Sequence, residues 1–159
     1  MTDVAGKETL AGQVTGLVDW AIGLAELIPA WVYALMMRVA IAAVFFQSAR
    51  TKVDGFLTLK ESTFFLFQYE YALPLIPSDW AAYMATYAEH GLSILILIGL
   101  AGRFSAAGLL VMTAVIQTFV YPEAWVVHLT WAAMLVYLVA RGPGLFSVDH
   151  LIRARFAAT

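Results

Sequence analysis

Glu89 and His90 stand side by side in the middle of an otherwise apolar segment, "AAYMATYAEHGLSILILIGLAGRF". A lipid solvent disfavours both groups, because a charge at the bilayer centre costs from about 3 to more than about 10 kcal/mol. Thr86 and Ser93 fall three or four residues from the pair, so a helix places all four on one face. We expect this face to point into a helix bundle, where the carboxyl and imidazole groups could bind a ligand or carry protons.

Arg38 is a second charge within an apolar run, "IPAWVYALMMRVAIAAVFFQ". Such a charge requires a partner inside the bundle. Glu89 is the only acid at comparable depth in another apolar run, so we expect an Arg38–Glu89 ion pair. That pair has two interpretations: it fixes one helix against another, or it forms part of a proton or ligand site.

Two further apolar runs carry polar side chains at helical spacing. Gln117 and Tyr121 lie four residues apart, and His128 lies three residues from both Trp125 and Trp131. The short connection "YPEAW" makes the two runs antiparallel, which places Gln117 and His128 at similar depth. A hydrogen bond between helices, worth about 1 kcal/mol in lipid, would explain Gln117. For His128, between two tryptophans, a structural and a functional role both stay open.

These residues predict a funnel of polar groups in an apolar pocket, the usual pattern of a small-molecule site. Its mouth is formed by Lys52, Glu70 and Arg50. Its middle is formed by Gln117, Tyr121 and His128. Its floor is formed by Arg38, Glu89 and His90. The predicted ligand-binding set is Arg38, Glu89, His90, Gln117, Tyr121, His128 and Trp131. Aromatic walls with histidine and carboxylate groups suit a quinone head group. A metal is a weaker alternative, with His90, His128 and Glu89 as its candidate ligands.

The elements that position these residues are membrane helices. Of 159 residues, 62% are hydrophobic and only 13% charged, and the mean hydropathy is +0.82; a soluble domain is nearer a quarter charged. About twenty helical residues cross the hydrocarbon layer, and long runs without period-two alternation favour helices over barrel strands. The four predicted spans are residues 28–47, 80–100, 104–121 and 124–140.

The net charge of −2 gives no support for nucleic-acid binding, and the absence of cysteine excludes thiol chemistry from this chain.

Three segments flank or connect the spans. Residues 48–79 form a long, aromatic-rich connection that we expect to be an interfacial loop or short helix covering one mouth of the bundle. Residues 1–27 and 145–159 are predicted amphipathic segments lying at the membrane interface. The N-terminal segment has an apolar face at helical spacing, formed by Leu10, Val14, Leu17, Val18, Ala21 and Leu24. The predicted fold is therefore all-α: an integral membrane four-helix bundle with interfacial helices at both ends.

The order of these motifs resembles the DoxX family of small four-helix membrane proteins. The resemblance rests on the intramembrane Arg38, "FFQSARTK", "LPLIP", "EHGLSILILIGLAGRFSAAGLL" and "HLTWAAMLVYLVARGPGLFSVDHLI". It covers nearly everything from Arg38 to Ile152. It implies a four-helix bundle with cytoplasmic ends and an association with respiratory or other redox systems. It does not specify a substrate.

Three functions follow as hypotheses. The first is an integral membrane subunit of a redox system, such as a component of a quinone-linked oxidoreductase, with a quinone-like or other small ligand in the funnel. It would contact membrane lipid and act with a partner protein or as a homo-oligomer. The second is a non-enzymatic scaffold or assembly factor, and the third is a metal or ion carrier using the Glu and His residues. The expected location is the bacterial inner membrane. We expect both termini to be cytoplasmic, because five basic residues lie on the side of the termini and three lie on the other side.

Overall fold

The computed structural model describes residues 2–157 of the chain, and the side chains from residue 12 onward. The α-helices are α1 (Thr2–Glu26), α2 (Ala30–Thr51), α3 (Glu61–Phe65), α4 (Ser78–Ile98), α5 (Gly102–Val115), α6 (Trp125–Arg141) and α7 (Val148–Ala157). The remaining regular elements are a two-residue hairpin, β1 (Val53–Asp54) and β2 (Thr58–Leu59), two π-helical turns (Leu66–Tyr71 and Ile116–Val120) and a 3-10 turn (Pro122–Ala124).

Four helical segments are long and apolar enough to cross a membrane. They are Ala30–Thr51, Ser78–Ile98, Gly102–Val120 and Pro122–Arg141. Each has 19 to 22 residues, which matches the roughly 20 residues that the hydrocarbon layer requires. The all-α fold and the four-helix membrane bundle predicted from the sequence are therefore confirmed. The first span extends to Thr51, four residues beyond the predicted end.

The bundle packs α2 against α4 and α6, and α5 against α4 and α6. Its core combines small residues, which let helix backbones approach closely, with a few large ones. The buried core side chains are Ala34, Ile41, Ala42, Phe45, Ile96, Ala106, Leu109, Leu135 and Leu138. Most other large apolar side chains of the spans face outward, as expected for a protein whose solvent is lipid.

The turn between α4 and α5 is stabilised from α7. Gly99 ends α4 with φ +71°, a left-handed conformation that glycine adopts without strain. The Asp149 carboxylate accepts hydrogen bonds of 2.8 Å from the backbone N–H groups of Ala101 and Gly102. Asp149 thus caps the N-terminus of α5, where unpaired N–H groups favour a negative charge.

The connection between α2 and α4 is folded. After the β1–β2 hairpin, α3 and the first π-helical turn lay Phe67 against Ala81 and Ala82 of α4, and these three form a second small buried cluster. Thr63 donates a 2.7 Å hydrogen bond to the Lys52 carbonyl, which ties this segment to the end of α2. The connection therefore covers one end of the bundle; whether it lies at a membrane interface stays a prediction.

The two terminal helices are α1 and α7. All described side chains of α1, from residue 12 to residue 26, are exposed, including Val14, Leu17, Val18 and Leu24 of the predicted apolar face. The Leu10 side chain lies outside the described residues. α7 is also exposed from Leu151 onward. Their placement at the membrane interface stays a prediction.

Candidate functional site

Glu89 is paired with Lys52 from the C-terminal end of α2. The Lys52 Nζ atom lies 2.8 Å from Glu89 Oε2, and each of the two side chains is 5% exposed. Lys52 also donates to the Ser48 hydroxyl at 2.8 Å, and that hydroxyl donates to Glu89 Oε1 at 3.3 Å. The three groups form a closed polar cluster, so the buried carboxylate has both a countercharge and a hydrogen-bond donor.

The predicted Arg38–Glu89 pair is wrong. Arg38 is buried, and its guanidinium donates instead to four backbone carbonyls. Nε donates to Ile96 at 2.9 Å, and Nη1 donates to Pro143 at 3.0 Å and Phe146 at 2.6 Å. Nη2 donates to Leu97.

The carbonyls explain why Arg38 lies where it does. Ile96 and Leu97 belong to the last turn of α4, where carbonyls lack the N–H donors that a continuing helix would supply. Pro143 and Phe146 lie in the non-helical linker between α6 and α7. One guanidinium thus joins α2, the end of α4 and this linker. Asp149 adds a favourable charge interaction with Arg38.

A cavity of about 150 Å³ adjoins the Lys52–Glu89 pair. It lies between α2, α4, α5 and α6, and the connection between α2 and α4 covers it. Its walls are mainly aliphatic and aromatic, with polar groups at a few points. The lining includes Phe45, Ser48, Lys52, Tyr71, Leu73, Ala85, Glu89, Tyr121, His128 and Trp131.

His128 is buried and held in a defined orientation by Gln117. Gln117 Nε2 donates to the Pro122 carbonyl at 2.8 Å, so its Oε1 atom faces His128 and accepts from His128 Nδ1 at 2.7 Å. The proton therefore lies on Nδ1, and neutral His128 presents a lone pair at Nε2. Trp131 packs against the imidazole with ring centroids 5.1 Å apart. Trp125, the other predicted wall, is 58% exposed and lies outside the cavity lining.

Two tyrosines close the cavity on the side of the connecting segment. Tyr71 and Tyr121 meet edge to face with ring centroids 5.8 Å apart, and Tyr121 donates to the Glu70 carboxylate. Burial raises the pKa of Tyr71, and the hydrogen bond to Glu70, followed by burial, raises the pKa of Tyr121. Both phenols therefore stay protonated at neutral pH and keep an O–H donor.

His90 does not share the cavity with Glu89. Its Nδ1 donates to the Thr86 carbonyl at 2.8 Å, and its ring meets Phe46 edge to face at 5.7 Å. Its Nε2 atom is buried without a hydrogen-bond partner among the described residues. Consecutive residues on a helix point about 100° apart, so Glu89 faces the cavity and His90 faces a different part of the α2–α4 contact. The predicted common floor for both residues is wrong.

Of the seven predicted ligand-binding residues, Glu89, Tyr121, His128 and Trp131 line one cavity, Gln117 positions His128, and Arg38 and His90 lie elsewhere. The role of these seven residues in ligand binding stays a prediction. Sequence reasoning placed Lys52 at the mouth and missed it as the partner of Glu89. Its four-carbon side chain allows it to lie near the end of a span and still reach inward. Ser48 lies one helical turn before Lys52. Its position on the same face of α2 indicated that a polar group there could also reach Glu89.

The metal alternative finds no ligand set in the described part of the chain. No group of three or more His, Asp or Glu side chains there is arranged to hold an ion. The three candidates His90, His128 and Glu89 are divided between two different surroundings.

The bundle and its covered intramembrane cavity define an all-helical integral membrane protein with four spans. A family model, DoxX, matches residues 33–129, more than half of the chain. The chain therefore belongs to the DoxX family, as its sequence motifs indicated. No curated protein and no solved structure gives a significant match.

Proposed function

We propose that this protein is a membrane subunit of a redox system and that its cavity binds the head group of a single-ring quinone. The observation that carries the proposal is the cavity itself: a buried ion pair, two tyrosines and a histidine border one apolar space. The Nε2 atom of that histidine, His128, bonds to no residue in the described part of the chain. Redox association is a hint from the family as a whole. The quinone is inferred from the chemistry of the wall.

The size of the cavity supports a single ring. An engineered cavity of about 150 Å³ in another protein holds a benzene molecule, and the cavity here has about the same volume. The isoprenoid tail of a quinone would have to leave between the spans, toward lipid. A two-ring head group would require the covering segment around Leu73 to move.

The polar groups of the wall suit a ligand that changes from hydrogen-bond acceptor to donor. Tyr71 has a protonated phenol that donates to a carbonyl oxygen. Glu89 has unused carboxylate lone pairs, and His128 has its Nε2 lone pair, so both accept from a hydroxyl group. Lys52 has its three donors engaged with Ser48 and Glu89, the longest at 3.3 Å. Lys52 therefore acts mainly by pairing with the Glu89 carboxyl group and holding it in position.

A bound quinone supplies two-electron, two-proton chemistry at its ring oxygens. The residues of this chain bind and orient the ring, exclude water and hold protons. His128 is the best-placed proton carrier, because Gln117 holds its Nδ1–H and leaves Nε2 to gain or lose a proton. Tyr121 and Glu70 extend the polar contacts from the cavity to the exposed side of the covering segment. Electrons come from a partner subunit in this proposal.

We place the protein in the bacterial inner membrane with both termini in the cytoplasm. Because Lys52 is buried in an ion pair, it is no longer a charge of the connecting segment, which leaves Arg50 and Lys60 there. Positions Lys7, Arg103, Arg141, Arg153 and Arg155 lie on the side of the termini. Five basic residues on the side of the termini against two on the other side favour cytoplasmic termini. This excess is larger than the five against three counted from the sequence.

A scaffold or assembly role is the second candidate, and the contacts of Arg38 favour it. A buried guanidinium bonded only to backbone carbonyls fixes helix positions and has no evident part in ligand chemistry. Arg38 and the cavity lie toward different ends of the bundle, however, so a structural role for one leaves the other free to bind a ligand.

The test compares two histidines. The probe is a benzoquinone with a short isoprenoid tail, added to the purified protein in nanodiscs, and the readout is bound quinone per protein. We expect His128→Phe to weaken binding about tenfold, the value of one good hydrogen bond. His90→Phe, which does not border the cavity, is the matched control and should bind as wild type does.

A second variant keeps the test valid if His128→Phe fails to fold. Leu73→Trp fills the cavity from the covering segment without altering a span, and it should abolish binding in a folded protein. Wild-type binding by both Leu73→Trp and His128→Phe would overturn the quinone proposal and favour the scaffold. Equal losses in the His90 and His128 variants would also contradict it.

A further inference from the structure

A second and larger cleft, of about 700 Å³, opens at the end of the bundle opposite the quinone cavity. It lies between the start of α2, the end of α6, the linker 142–147 and α7. Neither the proposed quinone chemistry nor the Lys52–Glu89 pair uses it. The residues that define its character are Trp31, Ala34, Arg103, Tyr137, Arg141, Asp149 and Arg153.

Three arginines from three different helices border this cleft. Arg103 of α5 donates through Nη1 to the carbonyls of Val139 and Ala140, at 2.7 and 2.9 Å, and is thereby fixed at the C-terminus of α6. Arg141 of α6 and Arg153 of α7 are exposed. Within residues 12–157, neither side chain makes a hydrogen bond or an ion pair.

The cleft is lined by more positive than negative side chains. Asp149 is the only acidic residue among the lining side chains that the structure describes. Both of its carboxylate oxygens are engaged by the backbone N–H groups of Ala101 and Gly102. The cleft therefore presents an excess of positive charge, with guanidinium donors available for a planar or tetrahedral oxyanion.

The inner wall of the cleft is apolar. Trp31, Ala34 and Tyr137 line it from α2 and α6, and Trp31 is held in place by an edge-to-face contact with Phe146 at 4.6 Å. The spans Ala30–Thr51 and Pro122–Arg141 begin and end at this level. Cations at the end of the spans and an apolar wall along them correspond to the two parts of a phospholipid at a membrane surface.

We propose that this cleft binds an anionic phospholipid, with its phosphate at Arg103, Arg141 and Arg153 and an acyl chain along Trp31 and Tyr137. Basic pockets between membrane helices are a recurrent site for anionic lipid head groups. A free phosphate ion would satisfy the arginines and leave the apolar wall uncovered, so the lipid accounts for both halves of the cleft. Both a phospholipid and a free phosphate ion would present a phosphate oxyanion to the arginines. The test below distinguishes these two sources.

The test measures lipid retained by the purified protein in detergent, by native mass spectrometry, with phosphatidylglycerol and phosphatidylcholine supplied in equal amounts. Wild type should retain phosphatidylglycerol preferentially. Arg153→Gln should lower that retention about fivefold, the contribution of one basic residue near a lipid surface, and Arg141→Gln/Arg153→Gln should lower it further.

Arg155→Gln is the matched control, because it removes the same charge from the same helix two residues away and does not line the cleft. It should retain lipid as wild type does. An equal loss in the Arg153 and Arg155 variants would show that only net charge matters and would overturn the site. Equal retention of the two lipids would do the same. Displacement of phosphatidylglycerol by inorganic phosphate at matched concentration would assign the cleft to a free anion instead.

The variants are informative because they should fold. Arg141 and Arg153 are exposed and bond to no side chain or backbone group in the described residues, so glutamine leaves no buried group unpaired. A monodisperse elution profile and an unchanged melting temperature in phosphatidylcholine confirm folding. Quinone binding at the other end of the bundle should be unchanged in these variants, which keeps failure of this proposal separate from failure of the quinone site.

Discussion

Lys52 reaches back along α2 to meet Glu89 of α4 inside the bundle, with Nζ 2.8 Å from Oε2 and both side chains nearly inaccessible. Ser48 bridges the two charges. A buried pair does not by itself stabilise a protein, but loss of one member leaves an uncompensated charge. The pair therefore makes the cavity depend on two residues that are 37 positions apart.

We predict that Glu89→Gln and Lys52→Met each lower the free energy of unfolding by about 3–5 kcal/mol, by analogy with buried pairs in soluble proteins. The double variant should lose clearly less than the sum of the two. The measurement is equilibrium unfolding in mixed micelles, arranged as a double-mutant cycle. Lys60→Met is the control, because Lys60 lies 3.8 Å from an exposed Asp54 and should contribute less than about 1 kcal/mol. Additive losses at Lys52 and Glu89 would contradict the pairing.

Arg38 should be irreplaceable by lysine. Arg38→Lys and Arg38→Met should each destabilise the protein by more than about 3 kcal/mol, because an ammonium group cannot reach the four carbonyls that the guanidinium joins. Arg50→Lys is the control, since exposed Arg50 bonds the loop carbonyls of Gly55 and Phe56. Equilibrium unfolding in mixed micelles measures the stability of each variant. Recovery of stability in Arg38→Lys would show that charge alone matters.

The four spans were predictable from the sequence because apolar length is a local property, and lipid leaves the backbone few alternatives to a helix. The antiparallel contact of Gln117 with His128 was also predictable, since the short turn at Pro122 fixes the relative depth of the two residues. In both cases the decisive information lies within a few residues along the chain.

The partner of each buried charge was not predictable, for two physical reasons. Backbone carbonyls at the end of α4 and in the linker accept from Arg38, and acceptors of this kind have no signature in residue type. Lys52 begins near the end of a span, and only its extended side chain brings its charge to the depth of Glu89. Position along the helix axis therefore gave the wrong pairing.

Gly99 should not tolerate a side chain. A Cβ atom there would lie 2.5 Å from Ser147 Cβ and 3.0 Å from the Arg38 guanidinium, at a φ of +71°. We expect Gly99→Ala to destabilise the protein by more than about 2 kcal/mol, because strain and overpacking act together. Gly91→Ala is the matched control on the same helix, since nothing lies within 4 Å of its Cβ position, and it should change stability by less than about 1 kcal/mol. Comparable melting temperatures for the two variants would be inconsistent with this geometry.

Gln117 acts through His128. Gln117→Leu removes the acceptor of the His128 Nδ1–H group, so the imidazole should exchange between its two tautomers. Nitrogen NMR of ring-labelled protein should show a single Nδ1–H form of His128 in wild type and an averaged form in the variant. Quinone affinity should fall by about fivefold or less, because the ligand contact itself remains. Thr118→Val is the control: it alters the neighbouring side chain, which bonds the Ala114 carbonyl. An unchanged His128 spectrum in Gln117→Leu would remove Gln117 from this positioning role.

The absence of cysteine from the chain allows its orientation to be tested cleanly. Ser62 lies in the connection between α2 and α4, and Ala154 lies in α7; both are exposed. If the termini are cytoplasmic, a membrane-impermeant maleimide added to intact bacterial cells should label Ser62→Cys and leave Ala154→Cys unlabelled until the cells are opened. The physical reason is the uneven distribution of basic residues, five positions on the side of the termini against Arg50 and Lys60 on the other. Wild-type protein, which has no thiol, reports background labelling. Labelling of Ala154→Cys alone in intact cells would reverse the orientation, and it would place the lipid-binding cleft proposed above in the outer leaflet.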